Sequence, residues 1–572
     1  MGRKEITEEL GKLVKLLHLE KEEDLRQYKQ RMQNTSFTDR RKSGVCWYPV
    51  QIDKSSYSTA ERSMVRVSRN PEHRGSHLFQ SGKLVSLFSN AHSNSEDSET
   101  VHGVVNTVRE HEMIITLNSD DHPDWIYDGK LGVQLLFDEN AYREMEKGLF
   151  TLIGRPTERI EELKNILLGD GEARFLERET TNIQELNRSQ NQALNRALSA
   201  QDVAIIHGPP GTGKTTTLIQ AVVHSLRTET QVLVCAPSNA AVDLIAEKLG
   251  QQNVSVVRIG HPARVNDDIL SKTLDAKITQ HSQYSDLKSL RKSAEEYRSL
   301  GKKYKRSFGP AEREQRRFFF DESKRCRLEA NLLSNYIKDD ILITTRVIAT
   351  TLVGANNTAL KKLRFSTVFI DEAAQGLEPA CWLPILKSDR VIFAGDHCQL
   401  PPTIKSFAAA REGLEVTLFE KAISRNSMAV MLSEQYRMNK KIMEFPNRHF
   451  YESKLVANIN VCDWTIFPGD IAIEFVDTAG CGFTEQTNPE SKSSMNPEEM
   501  HLLFGHLKSY LDKIETPFIV DEIEGIGIIS PYKAQVSLMQ QTFHREKPFN
   551  DTIKKKVNIN TIDSFQGQER DI

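Results

Sequence analysis

Three strand-terminating stretches carry residues whose types and spacing suit phosphate chemistry. In "DVAIIHGPPGTGKTTTLIQ" (202–220) an apolar run leads into Gly208-Pro209-Pro210-Gly211-Thr212-Gly213-Lys214-Thr215 and then into a helical pattern. The stretch fits G-x-x-x-x-G-K-[ST] at every fixed position, and it does so between a strand and a helix, where that motif has meaning. Glycines let backbone N–H groups close around phosphate oxygens, and the helix N-terminus adds a partial positive charge. Lys214 is expected to reach the β- and γ-phosphates, and the Thr215 hydroxyl to ligate Mg²⁺. ATP and Mg²⁺ are therefore the expected ligands. "STVFIDEAAQ" (366–375) supplies a second half-site. Asp371 at the strand tip suits Mg²⁺, and Glu372 suits orienting and deprotonating a water. "RVIFAGDHCQLPPT" (390–403) ends a third strand at Gly395-Asp396 and sets the amide of Gln399 just beyond, where it can sense a γ-phosphate. His397 and Cys398 are adjacent on that loop, with no further His/Cys cluster in the sequence, so no metal is expected there.

A different chemistry suits Pro237-Ser238-Asn239 in "VLVCAPSNAAVDLI" (232–245). Small polar groups and free N–H groups at a strand-to-helix turn fit the phosphates of a nucleic-acid backbone. The competing role for Ser238 is a helix N-cap.

The elements that must position these residues follow from pattern. Residues 1–35 space Leu10, Leu13, Val14 and Leu17 as one amphipathic helix. Between 44 and 138, the runs "GVCWYPVQI", "SMVRVSR", "KLVSLFS", "VHGVVNTV", "EMIITLN" and "KLGVQLLF" predict a small antiparallel barrel or sandwich. Helices resume at 140–153. From about 180, strands alternate with helices, which predicts an α/β domain with a parallel sheet. A charged, basic-biased helical stretch (270–338, with "FFF" at 318–320) interrupts that alternation. It reads either as a solvated hairpin or as a clamp over a polyanion. The strand pattern is expected to return with "DILITTRVIAT" from residue 340.

Composition bounds the rest. A chain of 572 residues is too long for one core. Lys+Arg number 75 against 78 Asp+Glu, a formal charge of −3, so any nucleic-acid surface must come from local patches. Cys46, Cys235, Cys326, Cys381, Cys398, Cys462 and Cys481 are scattered without a C-x-x-C pair. That pattern points to a reducing compartment, the cytoplasm or, in a eukaryote, the nucleus. No stretch approaches the roughly 18–20 apolar residues of a membrane span.

Taken with the phosphate motifs, "DEAAQ", "GDHCQLPPT", "SEQYRMN" (433–439) and "TIDSFQGQERDI" (561–572) resemble superfamily 1 helicases. The resemblance is strongest to the branch holding the RNA helicase of nonsense-mediated decay and the immunoglobulin-mu-binding helicase. It implies two RecA-like P-loop NTPase domains gripping ATP between them. It divides the chain into a stalk helix (1–43), a β-barrel (44–138), stalk helices (139–180), a first RecA-like domain (181–412, with a helical insert at 265–338) and a second (413–572). By resemblance, Gln190 in "LNRSQNQAL" contacts adenine, Tyr436 stacks on it, and Arg437 meets the γ-phosphate. Gly567 and Glu569 meet the ribose and phosphates. Pro237, Ser238, Asn239, Thr350, Ser530, Tyr532 and Thr561 line the nucleic-acid path.

The family normally continues past the last motif to a further strand and a second arginine, so the second domain is expected to be incomplete at Ile572. The implied function is an ATP-dependent 5′→3′ helicase or translocase on single-stranded RNA or DNA, working as a monomer. The alternatives are a nucleic-acid clamp with little turnover and a P-loop ATPase acting on protein.

Overall fold

A computed structural model describes residues 3–32, 36–42, 44–57, 63–70, 77–79, 82–90, 100–108, 111–119, 123–127, 129–260, 267–302, 309–425, 428–488, 493–514, 523–545 and 549–572. They form two compact units, Met1–Pro209 with Gly213–Leu432, and Ser433–Ile572 with the loop residues Pro210–Thr212.

In the first unit six antiparallel strands close a barrel. They are β1 (Cys46–Tyr57), β2 (Ser63–Arg69), β3 (Leu84–Ser89), β4 (Thr100–Val108), β5 (Glu112–Leu117) and β6 (Leu131–Leu135), in the order β1-β2-β5-β4-β3-β6. Alternation fills its interior with Trp47, Val65, Val67, Val85, Leu87, Val105, Met113, Ile115 and Val133, while polar neighbours face outward.

The unit's centre is a seven-stranded sheet. Its strands are β7 (Val203–His207), β8 (Val232–Ala236), β9 (Val256–Arg258), β10 (Val347–Thr351), β11 (Phe365–Ile370), β12 (Ser388–Gly395) and β13 (Ala429–Met431). The order is β13-β7-β12-β11-β8-β10-β9, and every pairing is parallel. Such a sheet is covered on both faces, so its strands read as continuous apolar runs. Val203, Ile205, Leu233, Cys235 and Ile348 enter one core, and Ala204, Ile206, Val232, Val234 and Ala349 enter the other.

The stalk contributes to the first of these cores. Ile6, Leu10, Leu13 and Leu17 of helix Arg3–Met32 pack with Leu149, Leu152 and Leu163 from helices Glu139–Ile153 and Glu158–Leu167. Polar groups pin the same helix. Glu20 accepts from the backbone N–H of Lys405 (2.9 Å) and of Ser406 (2.7 Å), and Glu9 pairs with Lys421 at 2.6 Å.

Two boundaries differ from expectation. The long insert helix runs Pro310–Thr344, so "DILIT" (340–344) is helical and the strand starts only at Val347. Ile341 and Leu342 are buried there, and packing overrides the β-preference of that Ile/Thr run. The first unit also extends past residue 412, because β13 adds to the sheet edge beside β7.

The second unit holds a parallel pair of strands, Ile526–Ser530 and Val557–Thr561. Its core joins Phe504, Ile526, Ile528, Val536, Phe543 and Ile559, from these strands and from helices Pro497–Lys513 and Lys533–Arg545, with Phe549 of the connection that follows.

Candidate nucleotide and nucleic-acid site

The phosphate residues converge because parallel strands end at one edge, the place where open α/β sheets bind ligands. β7 ends at His207 and hands the chain to the Gly208–Thr215 loop; its neighbour β12 ends at Gly395, and β11, on the far side of β12, ends at Ile370. Helix Lys214–Ser225 begins on Gly213, which is left-handed at φ 77°. The cradle is closed to side chains. A Cβ on Gly208 would stand 2.5 Å from Lys214 Cβ, and one on Gly213 would stand 2.5 Å from Gln190 Nε2. Glycines at these crowded positions leave the loop's N–H groups open to an anion beside the Lys214 side chain, so the residues present fit ATP.

Lys214 is buried and its ammonium sits 2.5 Å from Glu372 Oε1. Burial works against that charge, but Glu372 and Asp371 outweigh it and hold the Lys214 pKa above its ordinary value. Glu372 adopts φ 50°, a left-handed conformation that costs a non-glycine residue about 1–3 kcal/mol. Its second oxygen accepts from Gln375 Nε2 at 2.7 Å. Asp371 lies beside it, buried, and accepts from the Glu372 N–H at 3.0 Å. Burial pushes the Asp371 carboxyl up to about 6, with Lys214 opposing and Glu372 reinforcing the shift. The Thr215 hydroxyl is 3.5 Å from Asp371 Oδ2, so the two oxygens assigned to Mg²⁺ face each other. Gln399 donates to Asp396 Oδ2 at 2.8 Å.

Gln190 is buried at the third position of helix Arg188–Ser199. Its Oε1 accepts from the Asn187 N–H at 2.9 Å in a capping box, and its amide nitrogen faces Gly213. Among the other loop residues, Pro209 and Thr212 are buried and Gly211 is left-handed at φ 75°.

The strand-end turns lie on the same sheet. Pro237 follows β8. Ser238 is exposed, and its hydroxyl accepts from the Ala241 N–H at 3.2 Å, so its side chain is the N-cap of helix Asn239–Gln251. Asn239 is positioned by a residue that the sequence reading passed over. Arg258, fully buried at the end of β9, donates to Asn239 Oδ1 at 2.7 Å and to Asp243 Oδ1 at 3.0 Å. A Cβ on Gly82 of the barrel would come within 2.5 Å of Asn239 Nδ2, so the barrel abuts this turn. Thr350 is fully buried and its hydroxyl donates to the Ile259 carbonyl at 3.2 Å. In this arrangement the Thr350 side chain faces the interior, and Thr351 is the partly exposed threonine at that strand end.

In the second unit, Tyr436 and Arg437 border a cavity of about 470 Å³ with Trp464, Asn558, Glu569 and Arg570. Arg437 Nε donates to Glu569 Oε2 at 2.7 Å, which joins two of the residues assigned to nucleotide. Gly567 is left-handed at φ 73°. Ser530 and Thr561 are register partners at the ends of the two parallel strands. Ser530 is buried and its hydroxyl accepts from the Tyr532 N–H at 3.2 Å, the Tyr532 ring is half exposed, and the Thr561 hydroxyl lies 3.0 Å from Ser564 Oγ.

Sequence comparison adds a separate finding. Residues 185–407 and 414–572 each match a family model described as an AAA domain, and residues 10–130 match the "Helicase SMUBP-2/HCS1, 1B domain". DNA-binding protein SMUBP-2 of Rattus norvegicus is 30% identical over 584 residues, covering 98% of this chain and 57% of that protein. An uncharacterized ATP-dependent helicase of Methanocaldococcus jannaschii is 30% identical over 502 residues, covering 79% of this chain and 72% of that one. DNA polymerase alpha-associated DNA helicase A of Saccharomyces cerevisiae is 34% identical over 425 residues, covering 68% and 59%. The chain spans 56–57% of the length of the SMUBP-2 proteins it matches. With the AAA-domain models covering both RecA-like regions and the helicase 1B model covering the barrel, the chain belongs to the superfamily 1B helicases.

Proposed function

We propose that this chain is the motor of an ATP-dependent helicase or translocase that moves 5′→3′ on single-stranded RNA or DNA. One observation carries the reading. Lys214, Thr215, Asp371, Glu372 and Gln399 meet at the carboxyl edge of the same parallel sheet whose β8 and β10 ends present Asn239 and Thr351. A single rigid sheet thus joins a phosphate cradle to a backbone-contacting turn.

Lys214 neutralises phosphate charge, and its ion pair with Glu372 must open for it to do so. Glu372, once released, takes a proton from the attacking water at its carboxylate oxygen. Thr215 and Asp371 are the oxygens that would hold Mg²⁺, which supplies charge neutralisation between phosphate groups. Gln190 reads the base, Tyr436 stacks on it, and Arg437 exchanges Glu569 for the γ-phosphate. Asn239, with the turn N–H groups, grips the strand. The scattered spacing of the seven cysteines, without a C-x-x-C pair, is what supports placing the chain in a reducing compartment. Among the described residues, no helix is long and apolar enough to cross a membrane.

The test is steady-state ATPase with and without oligonucleotide, alongside unwinding of RNA and DNA duplexes carrying 5′ or 3′ tails. Strand-stimulated hydrolysis and unwinding from a 5′ tail are expected. Tight strand binding without stimulation would replace the motor with a clamp, and no strand binding at all would refute the reading.

A further inference from the structure

The turn after β12 holds a group of side chains that the phosphate site does not use. Parallel pairing sets Gly395 opposite His207. The imidazole at the end of β7 therefore lies beside Asp396-His397-Cys398, although 189 residues separate His207 from Asp396. One ligand atom from each of His207, Asp396, His397 and Cys398 lies within 4.8 Å of the others. His207 Nε2 is 3.0 Å from Asp396 Oδ1, His397 Nε2 is 3.8 Å from Cys398 Sγ, and the two imidazole centroids are 5.0 Å apart. His207 and Asp396 are buried. The Nδ1 of His397 is also buried and has no hydrogen-bond partner among the described residues. His397 and Cys398 stand without companions in the sequence around them, and the fold supplies two, His207 and Asp396.

We propose that His207, Asp396, His397 and Cys398 bind one zinc-class divalent cation, at a site separate from the Thr215–Asp371 oxygens. Two imidazoles, a thiolate and a carboxylate are ligands that Zn²⁺ takes in tetrahedral array, whereas Mg²⁺ demands an octahedron of oxygens. Zinc–nitrogen and zinc–sulfur bonds of about 2.0–2.3 Å place ligand atoms about 3.3–3.7 Å apart. The His207–Asp396 and His397–Cys398 pairs are already near that spacing, and a pair at the 4.8 Å limit must contract by about 1 Å. Binding forms the metal–sulfur bond as the Cys398 proton leaves to solvent; the imidazoles enter neutral. Asp396 also accepts from the Cys398 N–H at 3.1 Å and, through Oδ2, from Gln399 at 2.8 Å. An ion on Oδ1 therefore pins the whole 396–399 turn, Gln399 included. On the proposed function, occupancy slows hydrolysis and leaves ATP binding intact.

The experiment uses the 572-residue chain in excess Mg²⁺. Competition with a chromophoric zinc chelator should show one tight Zn²⁺ per chain. Cys398→Ser and His397→Gln, checked for folding by thermal melting, should each weaken it by at least ~10–100-fold. Cobalt(II) should give a thiolate-to-metal charge-transfer band that Cys398→Ser loses and that a Cys462→Ser/Cys481→Ser variant keeps. Absence of tight Zn²⁺, or a Cys398→Ser variant with unchanged affinity and an unchanged band, overturns the site. Zn²⁺ should also slow the ATPase of the unmodified chain while sparing Cys398→Ser, and equal inhibition of both refutes the link to Gln399. If no strand-stimulated ATPase exists, the proposed function fails, while the chelator and cobalt readouts still decide the metal site.

Discussion

Arg258 separates the stability of the first unit from its grip on nucleic acid. Its guanidinium is fully buried and donates to Asp243, to Asn239 and, through a very short contact, to the Ile259 carbonyl. Burial lowers its pKa and Asp243 pulls it back. Arg258→Met leaves the fully buried Asp243 carboxylate without its guanidinium. Breaking a buried pair from one side costs about 3–5 kcal/mol. In a unit of this size that is a fall in Tm of roughly 3–6 °C. Adding Asp243→Leu removes the stranded charge and fills part of the lost volume, so most of that stability should return. Neither variant restores the donor to Asn239. A hydrogen bond to a charged group contributes about 1.5–3 kcal/mol, and losing part of that order in strand binding weakens affinity about tenfold. Thermal melting and fluorescence anisotropy with a single-stranded oligonucleotide, at one fixed salt concentration, measure the two effects. A double variant as unstable as the single one would refute the buried-pair argument. Affinity that recovers together with stability would show that Arg258 acts on the strand only through folding.

Lys214→Ala should abolish hydrolysis and weaken ATP binding, since bound phosphate loses its counter-charge; turnover like that of the unmodified chain would remove Lys214 from the site. Glu372→Gln should keep ATP and strand binding, measured by equilibrium titration, and stop turnover, because the carboxylate acts on water. A collapse of ATP affinity would make Glu372 structural. Replacing 284–335 with a short linker should weaken strand binding and flatten its salt dependence, because released counterions scale with phosphate contacts. An unchanged slope of log affinity against log salt would leave the insert as a solvated hairpin.

The phosphate residues were legible because each sits on a loop whose own sequence dictates its shape. Gly208–Thr215 needs glycines where a Cβ would collide, and Asp371 needs only an apolar strand before it. The residues that position the chemistry were hidden for the opposite reason. Arg258 closes the strand in "VSVVRIG" (254–260), where a charge at a strand tip reads as solvent-facing; it is buried because Asn239 and Asp243 reach it from a helix that precedes its strand. His207 reads as the last residue before a P-loop, and only the β7–β12 pairing reveals Asp396 beside it. Helix Pro310–Thr344 outruns its β-branched end because burial of Ile341 and Leu342 outweighs a propensity difference of tenths of a kcal/mol. The converse occurs in the second unit. Ile471, Ile473 and Phe475 alternate as a strand would, yet the structure leaves them irregular and exposed, Phe475 at 89%. Alternation specifies which face a strand buries, but a strand exists only beside a partner that accepts its hydrogen bonds. Contact chemistry in this chain is therefore written locally, and its support is written across separations that no local pattern spans. Substitutions at Arg258 and His207 should accordingly disturb function as strongly as substitutions at the loops they hold.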